Sequence, residues 1–364
     1  MSAAFEIQLI AVLVAVACAL PGVFLVLRHM AMMSDAITHT ILLGIVLAFF
    51  VTQDLSSPLL IVGAAAMGVL TVWLTEALTN TRLLAEDASI GIVFPLLFSI
   101  AIILISRYAG GTHLDTDAVL LGEIAFAPFD RLIVGGVDLG AKSIYTSGAM
   151  LLINALAITL FYKELKLATF DPLLAAVMGF SPALIHYGLM TLVSLTAVTS
   201  FNSVGSILVV AFMVGPPLTA YLLTTKLHVM LGLSALIGAV NGILGYQIAV
   251  RLDVSIAGCM AVMTGVSFGL TLIFAPRTGL ISTRIQKQHQ RYEFAKMTAL
   301  FHLYNHDTDS SVLADELRWS ERFTARILRA LQDEGALAPT NGDLRLTEAG
   351  ATRCLTYLAE LYQN

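Results

Sequence analysis

Residues 32–50 read MMSDAITHTILLGIVLAFF. Only Asp35 and His39 in this run are ionisable, and the apolar remainder is long enough for a bilayer crossing, which needs about 20 residues. The two polar groups stand four positions apart, so on a helix both project from one face. A carboxylate oxygen and an imidazole nitrogen placed in this way can share one divalent cation. Ionisable groups inside a membrane span are costly and mark substrate or ion pathways by default. A plainer reading stays open from these residues, in which Asp35 caps the helix and His39 bonds a neighbouring helix.

The rest of the chain has the same character. Fifty-seven per cent of its residues are hydrophobic, 12% are charged and the mean hydropathy is +0.84, values that exclude an ordinary soluble domain. Apolar runs recur at Ile7 to Leu27, Met32 to Val51, Pro58 to Leu78, Ala88 to Ser106, Ser143 to Tyr162, Ala183 to Ser200, Ser203 to Leu223, Val229 to Val250 and Val254 to Ala275. These predict an all-α polytopic membrane protein with nine spans, or eight if one run only re-enters. Arg28, Arg82, Lys163, Lys166 and Lys226 fall in alternate loops, and Arg277, Arg284, Lys287 and Arg291 follow the last run. Basic residues are retained on the cytoplasmic side, so these loops and the C-terminus are expected there and the N-terminus outside. The acidic stretch from Tyr108 to Lys142 reads as an external loop. With the second helix entering near His29, a rise of about 1.5 Å per residue sets Asp35 roughly 9 Å and His39 roughly 15 Å deep. Two ligands do not complete a cation site, so other helices or a twofold partner must supply the rest.

Between two spans, ATFDPLLAAVMGFSP begins with Asp171 as a predicted N-cap and Pro172 at the first helical position, and it stops at Gly179 before Pro182. The resulting helix of about two turns is too short to cross a membrane. It is either an ordinary capped connection or a docking element.

Several segments carry a family likeness. LVLRHMAMMSDAITHTILLGIVLAF resembles the second helix of bacterial metal-cation ABC importer permeases, the manganese, zinc and iron importers, with Asp35 and His39 in the ligand positions. HLDTDAVLLGEIAFAPFDRL resembles the external segment of that family, KELKLATFDPLLAAVMGFSP its ATPase-contacting segment, VGSILVVAFMVGPPLTAYLL its following core helix and FAPRTGLIS its end. The likeness covers residues 1 to about 283. Where the family often has Gly before the Asp and Ser-His-Ala later, this chain has Ser34 and Thr38-His39-Thr40, small-for-small changes.

The resemblance implies two permease subunits facing each other, homo- or heterodimeric, with Asp35 and His39 of each lining a central path. Four oxygen and nitrogen ligands suit Mn(II), Fe(II) or Zn(II), which would be cargo and not a permanent cofactor, and the lack of thiolates disfavours copper(I). The external segment tilts the choice toward manganese. It also implies that Phe170, Asp171, Pro172 and Gly179 contact an ABC ATPase, and that an extracytoplasmic metal-binding protein delivers the ion. The expected location is the cytoplasmic (inner) membrane of a bacterium. The chain itself has no G-x-x-x-x-G-K-[ST] phosphate loop, so it is not expected to be an enzyme.

Among the remaining polar groups, His113 and Glu123 are expected either to steer cations toward the path or to belong to a solvated acidic loop. Glu76 reads as interfacial, and Asn154, Asn202 and Asn241 as interhelical hydrogen-bonding groups. Pro216-Pro217 predicts a kink. Cys18, Cys259 and Cys354 suggest no disulfide framework, and the start MSAAFEIQ lacks a basic n-region, so the first apolar run reads as a retained span.

Residues 284–364 read as a second, soluble domain behind the permease domain of residues 1–283. From Arg277 on there are eleven Lys/Arg and eleven Asp/Glu, against nine and fourteen before it. Periodicity predicts helices over Ile285 to His306, Ser311 to Leu317 and Glu321 to Glu334, a ribbon over Leu337 to Leu346 turning at Asn341-Gly342, and a last helix from Thr347. SSVLADELRWSERFTARILRALQDEGALAPTNGDLRLTEAG resembles the winged helix-turn-helix of metal-dependent repressors in the iron-dependent repressor family. That resemblance would make Arg322, Arg326 and Arg329 the DNA-reading side chains, but a net charge of zero argues against nucleic acid as a partner. Docking onto the ATPase or the sister permease competes with metal sensing by His302, His306, Asp307 and Asp309. The alternative for the whole chain is a membrane-tethered, metal-responsive transcription regulator.

Overall fold

In the computed structural model of the chain, residues 2–54, 57–108, 124–134, 137–306, 313–340 and 343–363 are described. Two compact units emerge, Met1–Gly279 and Leu280–Asn364.

The first unit is a helical bundle. Its helices are α1 (Ala3–Leu27), α2 (Ala31–Thr52), α3 (Leu59–Asn80), α4 (Glu86–Tyr108), α5 (Lys142–Leu160), α6 (Tyr162–Phe170), α7 (Pro172–Val177), α8 (Pro182–Val204), α9 (Ser206–Leu223), α10 (Leu227–Leu252) and α11 (Ile256–Phe274). Among the described residues, nine of them are long and apolar enough to cross a membrane; α6 and α7 are the short ones. These helices are apolar all round, so backbone groups are satisfied within each helix and the polar side chains can be few.

Helix α1 is the hub. Its most apolar window is 72% buried, against 17% for α11 at the periphery, and it packs on α5, α8, α9 and α10. Helices α2, α3 and α4 form a neighbouring group in which α2 lies against α3 and α4 and also touches α8 and α9. Small residues permit these approaches. A Cβ at Gly22 would stand 1.9 Å from the Met213 carbonyl oxygen, and one at Gly44 would meet the Gly63 carbonyl oxygen at 2.4 Å. Sparse hydrogen bonds pin the crossings. Asn154 Nδ2 donates to the Ala17 carbonyl at 2.8 Å and to Thr196 Oγ1 at 2.9 Å, Thr71 Oγ1 donates to Thr40 Oγ1 at 2.8 Å, and Asn241 Nδ2 donates to Ser267 Oγ at 2.9 Å. Asn154 and Asn241 thus do what their types suggested; the Asn202 side chain lies outside the described residues.

Two stretches differ from the sequence reading. The region read as an external loop contains a 3-10 helix, Ile124–Phe129, and an antiparallel hairpin of β1 (Arg131–Val134) and β2 (Val137–Ala141). Its sequence, RLIVGGVDL, holds the signal of two apolar runs split by Gly-Gly, which the charge count overshadowed. The basic segment after α5 is also not a loop, since Lys163 to Lys166 lie on α6.

The second unit has α12 (Leu280–His306), α13 (Leu313–Glu316), α14 (Glu321–Asp333), β3 (Leu337–Thr340), β4 (Asp343–Leu346) and α15 (Glu348–Gln363). β3 and β4 pair antiparallel, with Leu337 opposite Leu346. Ala299, Leu300, Leu313, Ile327, Leu331 and Leu337 build its core. Three positions of α14 face inward, Thr324, Ile327 and Leu331, on a 3–4 spacing.

Candidate metal path and its flanking polar clusters

The tight turn Arg28–Met30 starts α2, and Asp35 and His39 lie about one and two turns inside the helix. The residue preceding α2 is Met30, with no side-chain cap, so Asp35 does not serve as one. His39 Nε2 stands 3.5 Å from Asp35 Oδ1. Two ligands held at about 2.0–2.2 Å by a tetrahedral ion stand about 3.4 Å apart, so the pair is spaced to chelate with little movement. The imidazole is fixed by α4, where the Phe94 ring lies 5.2 Å and the Phe98 ring 5.7 Å from it, centroid to centroid. Its Nδ1 is buried and has no hydrogen-bond partner among the described residues, so the alternative of a bond to another helix is not realised among them.

Both side chains keep an open side. His39 is 24% and Asp35 43% exposed, on a helix whose other positions from Met33 to Leu43 are buried. Met32, Leu47 and Val51 continue the exposed face. Among the described residues no third His, Cys, Asp or Glu joins the pair to form a metal-binding group. Asp35 and His39 thus stand as two donor groups on one partly exposed helix face.

At the α6–α7 junction the Asp171 carboxylate accepts from the Leu174 amide at 2.9 Å, with Pro172 at the first position of α7. Gly179 closes the helix at φ +90°, a left-handed conformation that disfavours a Cβ, and Phe180 N donates to the Ala175 carbonyl at 3.0 Å. Phe170, Leu173, Val177 and Met178 stand exposed around this cap. These apolar side chains cluster around a capped helix of six residues, too short to cross a membrane.

Other expected sites fare differently. His113 and Glu123 lie outside the described residues, as do Asp307 and Asp309. His302 Nε2 pairs with Glu316 on α13, and His306 ends α12. Arg322, Arg326 and Arg329 are all exposed on α14.

Two polar clusters escaped the sequence reading. Glu6, only 1% exposed, receives Arg131 Nη1 at 3.2 Å, while Arg131 Nη2 reaches Asp138 Oδ2 at 2.7 Å, so the hairpin is tied to the start of α1. Hydrogen bonding from Arg131 and from the Gly140 amide holds the Asp138 carboxyl below the usual carboxylate range. The second cluster sits beside the α1–α2 turn. Arg28 donates to Thr169 and His186, and Glu76 accepts from the Tyr187 hydroxyl and lies 2.6 Å from His186 Nε2, so Glu76 is engaged by protein and does not merely snorkel to an interface. An ionisable residue within a span, His186 in PALIHYGLM, was the available signal.

In the second unit Lys296 Nζ contacts Glu293 at 2.7 Å and Glu334 at 2.6 Å, and Arg353 Nη1 contacts Glu334 at 2.5 Å. Burial pulls the Lys296 ammonium down, but the two carboxylates outweigh it and leave it raised. The Lys296 ammonium, with help from Arg353, holds Glu334 below its ordinary range.

Residues 2–275 match the model of the ABC 3 transport family. The chain is 44% identical to the zinc transport system membrane protein TroD of Treponema pallidum, over 95% of this chain and 96% of that one. It is 47% identical to the manganese transport system membrane protein MntD of Bacillus subtilis, over 80% of this chain and 99% of that one. The Treponema alignment runs through the second unit, whereas the Bacillus protein is shorter by roughly that unit's length. Among solved structures, PsaBC from Streptococcus pneumoniae in complex with Fab superposes with a TM-score of 0.64 at 28% identity, over 76% of this chain and 94% of that one.

Proposed function

The chain belongs to the ABC 3 transport family, and on that footing we propose that it is the membrane-spanning permease of an ATP-driven importer of Mn(II), with Zn(II) and Fe(II) as the other cargoes of the same ligand chemistry. ATP hydrolysis falls to a separate ATPase subunit, and the permease itself is not an enzyme.

The observation that carries the reading is the Asp35/His39 pair, correctly spaced for one ion, open on one side and incomplete. A second permease subunit facing it would bring the ligand count to four, two oxygens and two nitrogens, which suits these borderline ions. Half a shell per subunit has a transport logic, because separating the subunits would weaken the site and release the ion. Charge distribution supports N-terminus outside, C-terminus cytoplasmic, in the cytoplasmic (inner) membrane of a bacterium. In that orientation α6 and α7 face the cytoplasm, and the exposed apolar side chains around Asp171 to Gly179 are the ATPase-docking surface. The external hairpin would receive a metal-delivering extracytoplasmic protein, with His113 and Glu123 steering the cation.

For the second unit we propose a winged-helix-like domain of docking or regulatory role. Its support is the element order of helix, short helix, longer helix and two-stranded ribbon, together with the resemblance quoted above. Metal sensing near His302 and His306 would let cytoplasmic ion slow uptake. Deleting residues after Ser282 should then leave transport intact and abolish inhibition by metal; inhibition that persists in the truncated chain would remove this role.

Uptake of radiolabelled manganese and zinc by cells carrying the full complex tests the central reading. Asp35→Ala and His39→Ala should each abolish uptake while the complex remains inserted, and the label preferred by the native chain names the cargo. Undiminished uptake in both variants would overturn it.

A further inference from the structure

The cluster beside the α1–α2 turn plays no part in the ion path proposed above. Arg28 Nε donates to Thr169 Oγ1 at 3.1 Å, and Arg28 Nη1 donates to His186 Nδ1 at 3.1 Å. His186 Nε2 lies 2.6 Å from Glu76 Oε1, and the Tyr187 hydroxyl donates to Glu76 Oε2 at 2.7 Å. A guanidinium only donates, so His186 Nδ1 must accept, while Nε2 lies within ion-pair distance of the Glu76 carboxylate. The imidazole thus stands between one fixed cation and one fixed anion. These groups border a cavity of about 720 Å³.

A second cation site is excluded by the same contacts. The lone pair at His186 Nδ1 is taken by Arg28, and a guanidinium 3.1 Å away repels an incoming ion. Mechanics remains. The chain of contacts joins four elements: α6 through Thr169, the α1–α2 turn through Arg28, α8 through His186 and Tyr187, and α3 through Glu76. Thr169 directly precedes Phe170 and the Asp171 cap of α7. Arg28 sits in the turn from which α2, with Asp35 and His39, departs. That turn is held under constraint, since His29 adopts φ 62°, a left-handed conformation uncommon for a residue with a Cβ. Arg28 Nη2 is buried without a partner among the described residues, which leaves a donor for a different acceptor when α6 shifts.

We propose that Arg28, His186 and Glu76 form a positioning relay that transmits displacement of the α6–α7 segment to the turn at the start of α2, and so ties the opening of the path lined by Asp35 and His39 to the ATP cycle. The relay rests on the transport reading, and its signature is coupling: ions moved per ATP hydrolysed, with metal affinity unchanged. None of its residues touches the cargo.

The test measures metal uptake and ATP hydrolysis together in the full complex in proteoliposomes. His186→Ala should lower ions per ATP about tenfold, the size expected for loss of one coupling contact, with the KM for manganese unchanged. His186→Gln, whose amide offers an acceptor toward Arg28 and a donor toward Glu76, should restore the ratio to within about twofold. Thr169→Val, a milder change that leaves the Glu76–His186 pair intact, should lower the ratio about threefold, and it decides the matter if His186→Ala fails to assemble. An unchanged ratio in Thr169→Val and His186→Ala, or no rescue by Gln, would overturn the relay. Asp35→Ala in the same preparation reads the ion path separately: normal import by that variant would overturn the transport reading whatever the ratio does.

Discussion

Among the described residues the bundle holds two carboxylate–imidazole pairs, and they differ in what surrounds them. Asp35 and His39 share one helix, one side open and Nδ1 of the imidazole unpartnered. Glu76 and His186 come from helices far apart in sequence and are closed in by Arg28, Thr169 and Tyr187. The same two functional groups therefore have opposite capacities. The open pair has lone pairs to offer an ion, whereas the closed one is faced by Arg28 at the imidazole and by Tyr187 at the carboxylate. Ligand capacity inside a membrane is decided less by residue type than by whether donors have already been supplied.

The contrast is most exposed to failure at Asp35. Asp35→Asn keeps the shape but removes the anionic ligand, and uptake should fall about 100-fold or more, at least the loss seen when a ligand's supporting partner is removed. Glu76→Gln should spare metal affinity, and a raised KM for the ion in that variant would break the distinction between the two pairs.

Stability should show the reverse order. Glu76→Ala strands Arg28 without its counter-charge and should cost about 1–2 kcal/mol, less than the 3–5 kcal/mol of a fully buried pair because Glu76 is 31% exposed. Thermal unfolding of the purified complex in detergent reads this as a midpoint lowered by several degrees, whereas Asp35→Ala should leave the midpoint unmoved. A fall in both would mean that the open pair is also structural.

The Lys296–Glu334–Arg353 cluster of the second unit extends the comparison to water. Glu334 is depressed in the folded state, so its contribution is present above the ordinary carboxylate value of about 4.3 and is lost as pH falls through its lower folded value. Lys296 is raised, so its contribution is present below about 10.4 and is lost as pH rises beyond that toward its folded value. Solvent screening keeps the effect of Glu334→Gln under about 1 kcal/mol. The pH dependence of unfolding should flatten at its acidic edge in that variant; an unaltered acid limb would show the cluster contributes nothing measurable. Smallest of all is the neutral bond between Thr40 and Thr71, where Thr40→Val should cost about 0.6 kcal/mol, the average for interhelical hydrogen bonds in membranes. A loss of several kcal/mol in the same detergent melt would place it among the ionic clusters.

Most of the bundle was legible in the residues themselves. Each apolar run corresponds to a helix displaced by a few residues at its ends, because hydropathy is a sum over neighbours along the chain and the bilayer length is a fixed ruler. The Asp35/His39 pair was legible for the same reason, four residues apart on one helix. The cap of α7 was legible too, since Asp171, Pro172 and Gly179 act on their own backbone. The hairpin after Phe129 went unread because its apolar runs are short and set among charges.

What the sequence by itself determined is whatever depends on local order: a membrane chain of nine apolar runs, a ligand-type pair on the second, and a separate, more polar unit after them. Only the tertiary structure decided which ionisable groups are free. Arg28 meets Thr169 and His186 across 141 and 158 positions, and Arg131 meets Glu6 across 125. Such partners are chosen by helix packing, which small residues such as Gly22 and Gly44 permit at particular crossings, and a charge keeps or loses its binding capacity according to what packing brings within about 3 Å of it.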